Sequence, residues 1–84
     1  MRLSAFGQAA RAIRMRCDLS LKQMADAMSI GSAHLSAIEF GQKPLDVGLQ
    51  ERAIEFLLPF ATADELAVLA SRAAPAGDTG EGTL

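Results

Sequence analysis

Two apolar-periodic segments too short to stand alone, Leu21–Met28 and Ser32–Phe40, flank the tripeptide Ser29-Ile30-Gly31, and that layout constrains the fold more than any other feature. Isolated helices under ~12 residues are marginal in water, so each must be held by its neighbours. The first opens on a capping box, Ser20-x-x-Gln23, with Leu19 able to staple onto Met24. Its inward stripe is Leu21, Met24, Ala25 and Met28. Gly31 is placed to N-cap the second segment, Ile30 and Leu35 to staple it, and Leu35 with Ile38 to bury it. Gly41 marks its end and Pro44 bars continuation.

Helical periodicity continues on both sides. A first helix should start near Ser4 and carry Phe6, Ala10, Ile13 and Cys17 on one stripe. A fourth should run from about Asp46 to Leu58, with Leu49, Ala53, Ile54, Phe56, Leu57 and Leu58, and be closed by Pro59. A second capping box, Thr62-Ala63-Asp64-Glu65, should open a fifth helix through Leu66, Leu69 and Ala70 to Ala74. Residues 75–84 hold Gly, Thr and acids without periodicity and are expected to be a disordered tail after a single domain, 1–74. The expected fold class is all-α. Composition agrees: half of the 84 residues are hydrophobic, yet the four Phe are the only aromatics, which suits small-residue helix packing better than sheet packing.

Two short helices joined by a tight turn, buttressed by longer helices, make a helix-turn-helix unit, whose second helix can enter a major groove ~12 Å wide. The run Phe6-Gly7…Arg11…Arg14…Leu19-Ser20…Met24-Ala25…Met28-Ser29-Ile30…Leu35-Ser36…Ile38-Glu39-Phe40-Gly41 resembles the lambda-repressor-like, or Cro/CI (XRE), helix-turn-helix family. The resemblance covers about half the chain, from the first helix to the loop after the third. It implies a compact five-helix domain that binds operator DNA, usually as a homodimer on a palindrome. It also implies an ion pair, Arg14 with Glu39, tying the first helix to the end of the third and turning Arg14 toward the DNA backbone. Leu21 stands where the family often has a phosphate-contacting Gln, Ser29 where Gly is common, Gly31 where the N-cap is commonly Ser or Thr, and Gln42 where Lys or Arg is frequent.

Charge is segregated along the chain. Residues 1–44 carry six basic against three acidic side chains, a charge of +3, and residues 45–84 two against seven, a charge of −5. The first half can meet a polyanion that the second repels. Lys22, Gln23, Gln42, Lys43, and Arg11 or Arg2 are the candidate phosphate contacts, whereas Ser32, Ala33, His34, Ser36 and Ala37 are the outward positions that would read bases. None of the latter is Arg, Asn or Gln, so part of the discrimination should come from DNA shape or from the loop. A solvated His34 is the competing reading.

Other chemistries find little support. One cysteine and one histidine exclude an internal disulfide and any Cys- or His-cluster metal site. Cys17 reads as a buried structural thiol rather than a redox sensor, and Met15, Met24 and Met28 as core filling. With no nucleophile–base pair, no phosphate-binding glycine loop and no cofactor expected, the chain is not expected to be an enzyme. No apolar run reaches ~18 residues and no signal-peptide pattern opens the chain, so a cytoplasmic protein without membrane contact is expected.

The expectation is a sequence-specific repressor, homodimeric on double-stranded DNA, of a kind that fits a plasmid, phage or other mobile element. Phe56, Leu57, Phe60, Leu66 and Leu69, with Leu58, exceed what one core stripe needs and are the candidate dimer interface, rimmed by Glu51, Glu55, Asp64 and Glu65. Two alternatives stay open: the antitoxin of a toxin–antitoxin pair, and a protein–protein adaptor that has lost DNA binding. A co-repressor or toxin partner belongs with these readings.

Overall fold

A computed structural model describes residues 2–71, and in them five α-helices and one 3-10 turn and no strand. The helices are α1 (Ala5–Arg16), α2 (Leu21–Ala27), α3 (Ser32–Glu39), α4 (Val47–Leu57) and α5 (Ala63–Ala70), with the 3-10 turn Leu58–Phe60 between the last two. The all-α class and the five helices are as the apolar periodicity dictates. The expected tail, 75–84, lies outside the described residues.

Four helix starts are held by side chains at the expected places. Ser4 accepts from the Gly7 amide, Asp46 from that of Leu49, and both capping boxes, Ser20 with Gln23 and Thr62 with Glu65, are closed. Gly31 N-caps α3 in extended geometry and offers no side chain to do more.

Helix ends are more uniform than the sequence suggests. After α2, Ser29 N–H reaches the Asp26 carbonyl and Ile30 N–H that of Ala25; after α3, Gly41 reaches Ile38 and Gln42 reaches Ala37. Both are Schellman motifs, turned by a residue in the left-handed region, Ser29 at φ 62° and Gly41 at φ 74°. The end of α1 follows the same course, with Leu19 N–H on the Arg14 carbonyl and Asp18 at φ 58°. Two of the three left-handed sites are therefore not glycine.

The core gathers one stripe from every helix: Phe6, Ala10 and Ile13 from α1, Met24 and Ala25 from α2 with Met28 at its end, Leu35 and Ile38 from α3, Ala53 and Leu57 from α4, and Leu69 from α5. Ile30, Leu49, Ile54, Phe56 and Leu66 pack at its margin.

Several expectations need correction. Leu57 and Leu69 were candidates for an intermolecular face, but both are sealed in the core, at 0% and 1% exposure. Met15 is 74% exposed and fills no core, because it lies off the stripe set by Ala10 and Ile13. Cys17, at the α1 C-cap, is half-buried rather than buried. The fourth helix ends at Leu57 rather than Leu58, still closed by Pro59, which then sits in the 3-10 turn. The fifth helix stops at Ala70, where Ser71 is extended, and the rest of the expected stretch to Ala74 lies outside the described residues.

Candidate nucleic-acid interface

α3 has eight residues, and its inner face is used up by Leu35, Ile38 and Glu39. It packs against α1 and α2. The helical period then leaves Ala33 exposed and Ser32, His34, Ser36 and Ala37 half-buried at its margins. All five candidate base-reading residues thus lie off the buried stripe of one short helix. His34 is the largest of them. The others are a methyl or a hydroxymethyl group, so the backbone of α3 can come close to whatever it meets.

The loop after α3 is fixed by the Schellman bonds. Ala37 accepts from Gln42 N–H at 2.7 Å and from Lys43 N–H at 3.3 Å, which folds the loop back on the last turn of α3. Gln42 and Lys43 are exposed there. At the start of α2, Lys22 is exposed and pairs with Asp26 one turn on, Nζ to Oδ2 3.0 Å. An exposed i,i+4 pair of this kind holds Lys22 weakly and leaves its ammonium accessible. The Gln23 amide oxygen accepts from Ser20 N–H at 2.7 Å, so this candidate contact is committed to the start of α2. Arg2 and Arg11 are exposed, Arg11 on the outer face of α1.

Behind α3 lies a buried ion pair. Both Arg14 nitrogens meet the Glu39 carboxylate, Nη1 at Oε2 and Nη2 at Oε1 (3.1 Å), and Nη1 also lies 3.3 Å from Met24 Sδ. The pair joins α1 to the last turn of α3 and touches α2. The expected pair is thus present and lies deep, with Arg14 6% exposed and Glu39 2%. The backbone of Glu39 is held as well: its carbonyl accepts from Ser4 N–H at 2.8 Å and Ser4 Oγ–H at 2.9 Å.

Three further side chains hold the helices around this unit. Arg52 of α4 donates to the Met28 carbonyl at the α2–α3 turn (3.2 Å), and Gln50 donates to the carbonyls of Leu69 and Ser71 at the end of α5. Neither had a local signal in the sequence, because each acts across about 20 residues or more. The third is Arg16. It meets Glu65 in a two-bond fork, 2.7 and 2.8 Å, and its Nη2 also reaches the Phe60 carbonyl at 2.8 Å. The guanidinium, together with the Thr62 N–H, lowers the Glu65 carboxyl from 4.5 to about 2.

The remaining interface candidates divide by exposure. Phe60 is exposed, and Phe56 and Leu66 are half-buried, with the Phe56 and Phe60 rings 6.4 Å apart. Leu58 and Val68 are exposed too, at 54% and 39%. Among the described residues no three His, Cys, Asp or Glu side chains come together as a metal site, and no helix is long and apolar enough to cross a membrane. No family model, curated protein or solved structure matches the chain.

Proposed function

We propose that this chain is a sequence-specific DNA-binding repressor that presents α3 to the major groove and acts as a homodimer on an inverted repeat. The observation that carries this reading is α3 itself: short, bolted from behind to α1 and α2, with small side chains outward and Lys43 folded against its last turn. That is the geometry a groove-reading helix needs, because a helix must approach base edges closely and be held from its far side. Lys22, Lys43 and Arg11 supply phosphate contacts, and the acidic second half stays clear of the duplex.

The second copy packs against three of the apolar residues left outside the core, Leu58, Phe60 and Val68, with Phe56 and Leu66 at their margin. These same residues support a protein partner, such as a toxin or co-repressor, as the second reading. Selection of bound duplexes from a random pool, followed by mobility shift, tests the function. The expected product is an inverted repeat with half-sites about one turn apart, roughly 34–36 Å. Failure to retain any duplex at low salt overturns the proposal and leaves the adaptor reading.

A further inference from the structure

The Arg16–Glu65 fork bridges residues 49 apart in sequence and joins the end of α1 to the start of α5. α5 needs such a tie. It has eight residues and a single fully buried side chain, Leu69, near its far end. A helix of two turns does not persist by itself, and at the near end only Leu66 reaches the core, at its margin. The other contacts that hold that end are polar. Glu65 takes Thr62 N–H at 2.9 Å in its capping box and both Arg16 nitrogens, while Arg16 Nη2 takes the Phe60 carbonyl. One guanidinium therefore holds the last residue of the 3-10 turn and the first turn of α5 to α1.

The two elements it ties down carry exposed apolar groups, Leu58 and Phe60 on the turn and Val68 on α5. α1, at the other side of the fork, is the helix to which Arg14 and Glu39 bolt α3. We infer that Arg16 is a positioning residue rather than a phosphate contact: through Glu65 and the Phe60 carbonyl it sets how the turn and α5 stand on α1, and so the distance between two copies of α3. The inference rests on the proposed dimeric DNA reading for its second half, and on the fold alone for its first.

The chemistry of the fork gives the test. Lysine keeps the charge of arginine but cannot make two parallel bonds to a carboxylate and a third to a carbonyl. If Arg16 served a phosphate, Arg16→Lys would stand in for it and Arg16→Ala would not. If it serves the fork, both variants fail alike. Glu65→Gln retains a residue suited to the capping box while removing the charge, and guards against loss of the fold.

Two measurements on the full chain decide it. Amide hydrogen exchange should become several-fold faster at Leu66–Ala70 in all three variants, with α1–α3 unchanged, because an exposed local tie is lost and not the global fold. Mobility shift should use the inverted repeat selected by the wild-type chain, the same repeat with its spacer lengthened by one or two base pairs, and a single half-site. The variants should bind the half-site as wild type does, with the same salt slope, but discriminate less between the spacers. Unchanged exchange at α5 overturns the inference. So does Arg16→Ala lowering half-site affinity and the salt slope by about one unit while Arg16→Lys does not. A wild-type chain that retains no duplex overturns the proposed function and the spacing role with it; the exchange measurement then still decides whether Arg16 holds α5, so the two failures read differently.

Discussion

Gly7 and Glu39 stand so close that a β-carbon on Gly7 would lie 2.2 Å from the Glu39 carbonyl oxygen. The backbone of α1 thus lies directly on that of the last turn of α3, and Ser4 closes the contact with two hydrogen bonds to the same carbonyl. The obstacle is main chain, which cannot rotate aside. Gly7→Ala should therefore destabilise the fold by about 2 kcal/mol or more, outweighing the gain of about 1 kcal/mol that alanine brings to a helix. Urea unfolding of the two proteins checks it, and a more stable Gly7→Ala variant would show that the helices can part at little cost.

The ion pair behind that contact makes a different prediction. Arg14 and Glu39 are both desolvated, and each is the other's main compensation. Removing either partner, as in Glu39→Ala, should cost about 3–5 kcal/mol. Replacing both by apolar residues of similar volume should cost much less, since no charge is then stranded. A double-mutant cycle measures the coupling, and a double variant as unstable as the singles combined would contradict the account.

Ser29 turns the chain between α2 and α3 in a conformation that side chains disfavour, and Asp18 does so after α1. Glycine enters that region without the steric cost. Ser29→Gly should raise stability by about 1 kcal/mol, and Asp18→Gly should act in the same direction, both seen as a higher denaturation midpoint with an unchanged denaturant slope. Gly41→Ala, at the third such site, should lower it.

Acid should weaken the attachment of α5. Glu65 is lowered to about 2 by Arg16 first and the Thr62 amide second, below its ordinary 4.5. A carboxylate depressed in the folded state contributes its full stabilisation above the ordinary value and loses it as pH falls through the folded one. Part of the acid destabilisation between pH 4.5 and about 2 should therefore be absent from Glu65→Gln. Thermal unfolding across that range, wild type against variant, reads it; parallel curves would assign the acid loss to other carboxylates.

What could be read from the sequence was what acts locally. The capping boxes at Ser20 and Thr62, the stop at Gly41 and the stripe of Phe6, Ala10 and Ile13 are set within a turn or two, so spacing revealed them. Partners across the chain left no such trace in the spacing, and Arg14 with Glu39 was legible only through the resemblance. Arg16 with Glu65 and Arg52 with the Met28 carbonyl depend on which helix faces which, and the latter ends on a backbone atom that has no residue type. Leu57 and Leu69 were misplaced for a related reason. An apolar excess in α4 and α5 was visible, but the choice of which members turn inward is made by the packing of those helices on α1, α2 and one another. Of that excess only Leu58 and Phe60 stay exposed, joined by Val68, which the apolar stripe does not single out.

The proposed interface separates two kinds of contact, which single substitutions can tell apart. His34 is half-buried on α3 and is the one candidate base reader with a ring nitrogen to present to a base edge. His34→Ala should lower affinity for the selected site by roughly 1–3 kcal/mol, relax preference at one base pair, and leave binding to random duplex unchanged. Lys43, exposed and folded against the same helix, should do the reverse. Lys43→Ala should weaken selected and random duplexes about equally and lower the salt slope by about one unit. Fluorescence anisotropy on both duplexes over a salt series gives all four quantities. A selected motif left unchanged by His34→Ala would take α3 out of the groove, and a salt slope left unchanged by Lys43→Ala would take the loop off the backbone.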